Sequence, residues 1–128
     1  MGYYFSKMLD APFDDAVVRV KAALAQEGFG VISEIDIRQT LKSKIGVEFR
    51  PYVILGACNP ALAHEALLLE DKVGLMLPCN VIVQEADDNL IEVAAIDPAA
   101  SMKSIDNKAL KAQAARVGEK LQAALERL

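Results

Sequence analysis

The stretch Cys79-Asn80-Val81-Ile82-Val83-Gln84-Glu85-Ala86-Asp87-Asp88-Asn89-Leu90-Ile91-Glu92-Val93-Ala94-Ala95-Ile96-Asp97-Pro98 decides the fold class. Residues 79–86 are rich in Val and Ile and read as a strand. Asp87-Asp88-Asn89 supplies turn chemistry, and residues 90–97 read as the hairpin partner. Pro98 has no N–H to give a ladder and ends the pair. Strands joined by so short a turn must run antiparallel. A strictly alternating βαβ chain with a doubly wound parallel sheet is therefore disfavoured.

Working outward, Tyr52-Val53-Ile54-Leu55-Gly56-Ala57-Cys58 is a continuous apolar run. Such a run is expected of an interior strand covered on both faces. Asn59-Pro60 hands it to a helix over 60–70, with Asn as N-cap and Pro at the first helical position. Further back, residues 3–9 form an aromatic-rich first strand. Pro12, Asp14 and Asp15 then open a helix whose stripe is Phe13, Val17, Val20 and Leu24, closed by Gly28. Residues 29–37 read as a second strand and 38–46 as a short helix ending at Gly46. Beyond the hairpin, a last helix begins near Asn107. Its apolar face is Leu110, Ala114, Val117, Leu121, Leu125 and Leu128, a natural cover for one sheet face.

No repeat, low-complexity tract or linker interrupts the 128 residues, so residues 1–128 read as a single domain. The fold class is α+β, a largely antiparallel sheet backed by a long C-terminal helix, with short helices inserted.

Composition narrows the function. Hydrophobic residues make up 53%, enough for a core. Fourteen basic against eighteen acidic residues give a net charge of −4, which argues against a generic nucleic-acid binder and against attraction to anionic lipid. The apolar stretch Val73–Val83 is broken by Pro78 and Asn80 and falls short of the roughly 18 residues of a spanning helix. Residues 1–7 lack a basic lead and apolar run, so a cytoplasmic location is expected.

Gly28-Phe29-Gly30, Gly56-Ala57-Cys58-Asn59-Pro60, and Leu77-Pro78-Cys79-Asn80-Val81 followed by Ile96-Asp97-Pro98 together resemble the bacterial and archaeal family called domain of unknown function 302. The resemblance covers nearly the whole chain. It implies a fold like the TATA-binding-protein class, β-α-β(4)-α, usually as a homodimer, and it implies no established activity. Fold likeness to a DNA binder says little about function, which lives in sites.

The residues themselves mark one region for chemistry. The chain has two cysteines, Cys58 and Cys79, no Cys-x-x-Cys pair, and one histidine, His64. Free thiols are expected. Cys58 ends a strand at the start of a helix, where unpaired N–H groups favour a thiolate or a bound anion. Cys79 begins a strand. Antiparallel neighbours would bring both Cys-Asn pairs to one end of the sheet. Cys58, Asn59, Cys79 and Asn80 are then candidates for binding a small ligand. Cys58, His64 and Cys79, with water or Glu65, are candidates for holding a soft metal ion such as Zn²⁺ or Cu⁺. One thiolate could instead be a sulfur or redox nucleophile with the other resolving it.

Against these stands the reading that both cysteines are small buried hydrophobes, Asn59 and Asn80 are caps or turn formers, and His64 is a surface residue. Three functions follow: a homodimeric ligand- or metal-binding module, a structural or protein-interaction module, and a thiol- or sulfur-handling enzyme. The third has least support, since no neighbouring base, acid and nucleophile assemble from spacing. Asp14 and Asp15 read as helix-start acids, Asp87 and Asp88 as hairpin residues, and Glu34 and Asp36 as solvent-facing strand residues.

Overall fold

The computed structural model describes residues 2–128. Among the described residues, five strands and the helices between and after them follow in chain order: β1 (Tyr4–Asp10), α1 (Phe13–Gln26), β2 (Gly30–Asp36), α2 (Ile37–Ile45), β3 (Tyr52–Cys58), α3 (Pro60–Leu69), a 3₁₀ segment (Asp71–Met76), β4 (Cys79–Asp87), β5 (Leu90–Ile96), α4 (Pro98–Ser101) and α5 (Lys108–Glu126). The strands form one sheet in the order β1-β5-β4-β3-β2, and every neighbouring pair is antiparallel. The hairpin is β4–β5, with Asn89 at φ 55 in its turn, a conformation Asn tolerates.

Alternation along the strands assigns the faces. Leu9, Val53, Leu55, Ala57, Cys79, Val81, Val83, Ile91, Val93 and Ala95 are buried together against Ala16, Val20 and Leu24 of α1 and Val117, Leu121, Ala124 and Leu125 of α5. A second cluster, Ala66, Val73, Met102, Leu110 and Ala114, joins α3, the 3₁₀ segment, α4 and α5 beyond the end of the sheet. The expected stripes of α1 and α5 supply these contacts, with Phe13, Val17 and Leu128 at the margin.

The apolar run of β3 requires one correction. The strand is interior in the sheet order, but only one of its faces is sealed along its length: Val53, Leu55 and Ala57 are buried, whereas on the other face Gly56 is buried and Tyr52, Ile54 and Cys58 are half-buried. The antiparallel connections leave helices α1 and α5 on the face of the odd-numbered β3 residues, so the run reflects an apolar but only partly covered second face. Along β2, a register shift between Val31 and Ser33 explains its mixed alternation, because a bulge breaks the period of two. Glu34 and Asp36 are both exposed there. Glu34 pairs with Lys21 at 2.6 Å, and Asp36 Oδ1 accepts the N–H of Gln39 to cap α2.

Two glycines are fixed by close approach. Gly28 sits at φ +86 after α1, and a Cβ there would come within 2.9 Å of Asn59 Nδ2. At Gly56 a Cβ would collide with Ser33 Oγ and lie 2.7 Å from Pro78 Cγ. Gly56 therefore lets β2 and the Leu77–Pro78 segment, whose peptide bond is cis, close over the centre of β3.

Candidate functional site

The β3–β4 register pairs Ala57 with Cys79, so Cys58 and Cys79 stand at the same end of the sheet, as antiparallel pairing requires. A cavity of about 370 Å³ opens there, at the seam between the two apolar clusters. Its floor is Phe29, Ala57 and Cys79 at the strand ends. Leu62, Ala63, Ala66 and Leu67 of α3 form one wall, and Met102, just after α4, with Gln113, Ala114 and Val117 of α5 forms another. Gly74, Leu77 and Pro78 close a third side, and Ile32 reaches in from the β2 bulge.

Three polar ties fasten α3 to α5 and fix the two walls relative to each other. Gln113 Nε2 donates to the carbonyl of Leu62, Asn107 Nδ2 donates to the carbonyl of Leu69 at 2.9 Å, and Arg116 Nη2 pairs with Glu65 Oε1 at 2.8 Å. The first is buried and spans the two walls. Asn107 also caps α5 through Leu110 N–H.

The sequence-marked residues separate in space. Cys58, Asn59 and Cys79 all border the cavity. By strand parity Cys58 belongs to the opposite face from Ala57, but it is the last residue of β3, where the chain turns into α3. Asn59 Oδ1 accepts the Leu62 N–H at 3.2 Å, so Asn59 is the N-cap of α3 as well as a wall residue. Asn80, one residue past Cys79, is exposed on the other side of the sheet, beside Ile82, Gln84 and Glu92. The two Cys-Asn pairs therefore do not converge as four side chains, because consecutive strand residues point to opposite faces.

His64 is exposed on α3 and is not among the residues bordering the cavity, and Glu65 is engaged by Arg116. Among the described residues no group of three or more His, Cys, Asp and Glu is gathered to hold a metal ion. The expected trio of Cys58, His64 and Cys79 is thus not assembled: the α3 turn that separates His64 from Cys58 carries the imidazole outward.

Cys79 is buried, and burial, reinforced by the nearby Cys58, pushes its thiol up from an ordinary 9.0 to about 11. It is a neutral thiol at neutral pH, the opposite of an activated nucleophile. Cys58 is half-buried.

Gln113 escaped the sequence reading. It is 2% exposed and lies on the α5 stripe, three residues after Leu110 and four before Val117. A polar residue at a stripe position is the signal that could have found it.

The geometry defines a class: an α+β domain with an apolar cavity at one end of a wholly antiparallel sheet, and no gathered metal-holding group among the described residues. The model of the family described as "Domain of unknown function DUF302" matches residues 5–128, and the chain belongs to that family. The chain is also similar to a solved structure, the crystal structure of an uncharacterized conserved DUF302 protein from Bacillus stearothermophilus. The two are 29% identical with a TM-score of 0.90, over 98% of this chain and 97% of that one. No curated protein matches the chain. Among the described residues no helix is long and apolar enough to cross a membrane.

Proposed function

We propose that the protein is a small-molecule-binding module whose site is the cavity bordered by Cys58, Asn59 and Cys79. One observation carries this reading. A cavity of about 370 Å³ lies within the roughly 300–1,000 Å³ range of ligand sites, and among the described residues no charged side chain borders it, whereas other clefts of similar size carry Glu92, or Asp14, Asp36 and Arg38, or Lys7 and Glu126. Its α3 and α5 walls are tied to each other by the Gln113–Leu62 bond, which favours a pre-organised site. Ligand binding is favoured over metal binding, because the two thiols have no gathered third ligand. It is favoured over thiol catalysis at Cys79, because burial holds that thiol neutral.

The homodimer belongs to the same proposal. The sheet face opposite α1 and α5 carries Tyr4, Met8, Ile35 and Leu90, all exposed, around half-buried Tyr52, Ile54 and Ile82. An apolar face of this kind on a small domain is the natural contact for a second copy of the chain.

The ligand reading is tested by recording amide shifts of the labelled protein with small apolar fragments, benzene and n-hexanol. Shifts are expected to cluster at Ala57, Cys79, Ala66 and Ala114 and to be lost in Ala66→Phe. Ala63→Phe, at a half-buried wall position, serves if the first variant fails to fold. Shifts that are absent, or that persist in the filled variants, overturn the reading.

A further inference from the structure

We infer that the cavity takes an uncharged straight aliphatic chain, an alkyl or acyl chain whose polar head remains at the mouth. This rests on the cavity being a ligand site. Three observations set the ligand's chemistry.

Among the described residues no Asp, Glu, Lys, Arg or His borders the space, so a buried carboxylate, phosphate or ammonium would have no charged partner. The part of the ligand inside is uncharged. Phe29 is the sole aromatic residue on the border, so no pair of rings is present to sandwich a flat ligand. Apart from Cys58, Cys79, Asn59 and Gln113, whose polar groups are a small part of the lining, the rest of the border is built from Leu, Ala, Ile, Met, Pro and Val side chains, which suit methylenes.

The mouth is apolar as well. Leu67 and Gly74 border the cavity and are exposed, and their chain neighbours Leu68 and Leu75 are 75% and 87% exposed. A head group bound by charge would need a basic or acidic rim, whereas a chain can run out over leucines. The volume, about 370 Å³, at roughly 30 Å³ for each non-hydrogen atom, holds about a dozen such atoms.

The test is a titration of the intact protein with straight primary alcohols of increasing length, read from the cavity amides. Affinity is expected to rise about fourfold with each added methylene. The rise breaks at about a dozen non-hydrogen atoms, when the cavity is full. In Ala63→Phe, whose ring occupies part of the space, the break is expected about three to four carbons earlier. A rise that continues unbroken and identically in both proteins is surface partitioning and overturns the inference. If benzene moves the cavity amides and no alcohol does, the chain class is wrong while the ligand site stands. If neither moves them, both readings fall.

Discussion

Raising the pH should weaken this protein through one identifiable proton. Cys79 holds its proton to about 11 in the folded chain, against an ordinary 9.0, chiefly because ionisation would leave a thiolate buried against Val81-side apolar packing. The unfolded chain gives that proton up first. The sign follows: the contribution to stability is complete below about pH 9 and is lost as pH rises toward about 11. Two units correspond to roughly 3 kcal/mol, an order-of-magnitude figure. The assay is urea denaturation of wild type and Cys79→Ala from about pH 8 to about pH 11. Lysines and tyrosines titrate in both proteins and cancel in the difference. The wild-type advantage over Cys79→Ala should shrink by roughly 2 kcal/mol across that range, the rest being lost above it. In Cys58→Ala the smaller of the two causes is removed, so the Cys79 midpoint should fall yet stay above 9.0. A difference that stays flat with pH, or a thiol midpoint at or below 9.0, would refute the burial argument.

Other expectations concern single contacts. Gly56→Ala should cost about 1–3 kcal/mol by overpacking. Ser33→Ala in the same chain should recover only part of this in denaturant melts, since Pro78 still lies 2.7 Å from the new Cβ. Asn59→Ala should cost about 1 kcal/mol by removing the α3 cap, and Asn59→Asp, which keeps the acceptor for Leu62 N–H, should restore most of it. Stoichiometric Zn²⁺ should leave Tm unchanged; a rise abolished by His64→Ala would show that the trio does assemble. Light scattering should report a dimer for wild type and a monomer for the folded double variant Met8→Glu with Ile35→Glu, and a monomeric wild type would remove the pairing proposal.

Much of the fold was legible because its signals are local. Asn59-Pro60 and Asn107 cap helices where their side chains can do so, and the Asp87–Asn89 turn forces β4 and β5 together. The helix stripes of α1 and α5 survive into the core almost unchanged. What failed needed three dimensions. The apolar run of β3 does not say how many of its faces are covered. The four-residue segment α4 and the 3₁₀ segment after α3 are too short to show a period.

The site was half legible for the same reason. Antiparallel neighbours place Cys58 and Cys79 together, which spacing on the chain suggested. Asn80 was lost to the alternation of strand faces, and His64 to the direction of its helix. The cavity itself is a seam between two clusters contributed by residues from 29 to 117, and no local pattern announces a gap between packed surfaces. Gln113 was the one local clue, a polar residue on an apolar stripe.

The central claim is that the space beside Cys58 and Cys79 is open, apolar and ready for a guest. Crystals pressurised with xenon test it most directly, since an apolar cavity stays dry and takes the gas. Xenon is expected between Ala57, Ala66 and Ala114, and no longer there in Ala66→Phe. A cavity that takes up no xenon and holds ordered waters, or whose walls have collapsed together, would contradict the account.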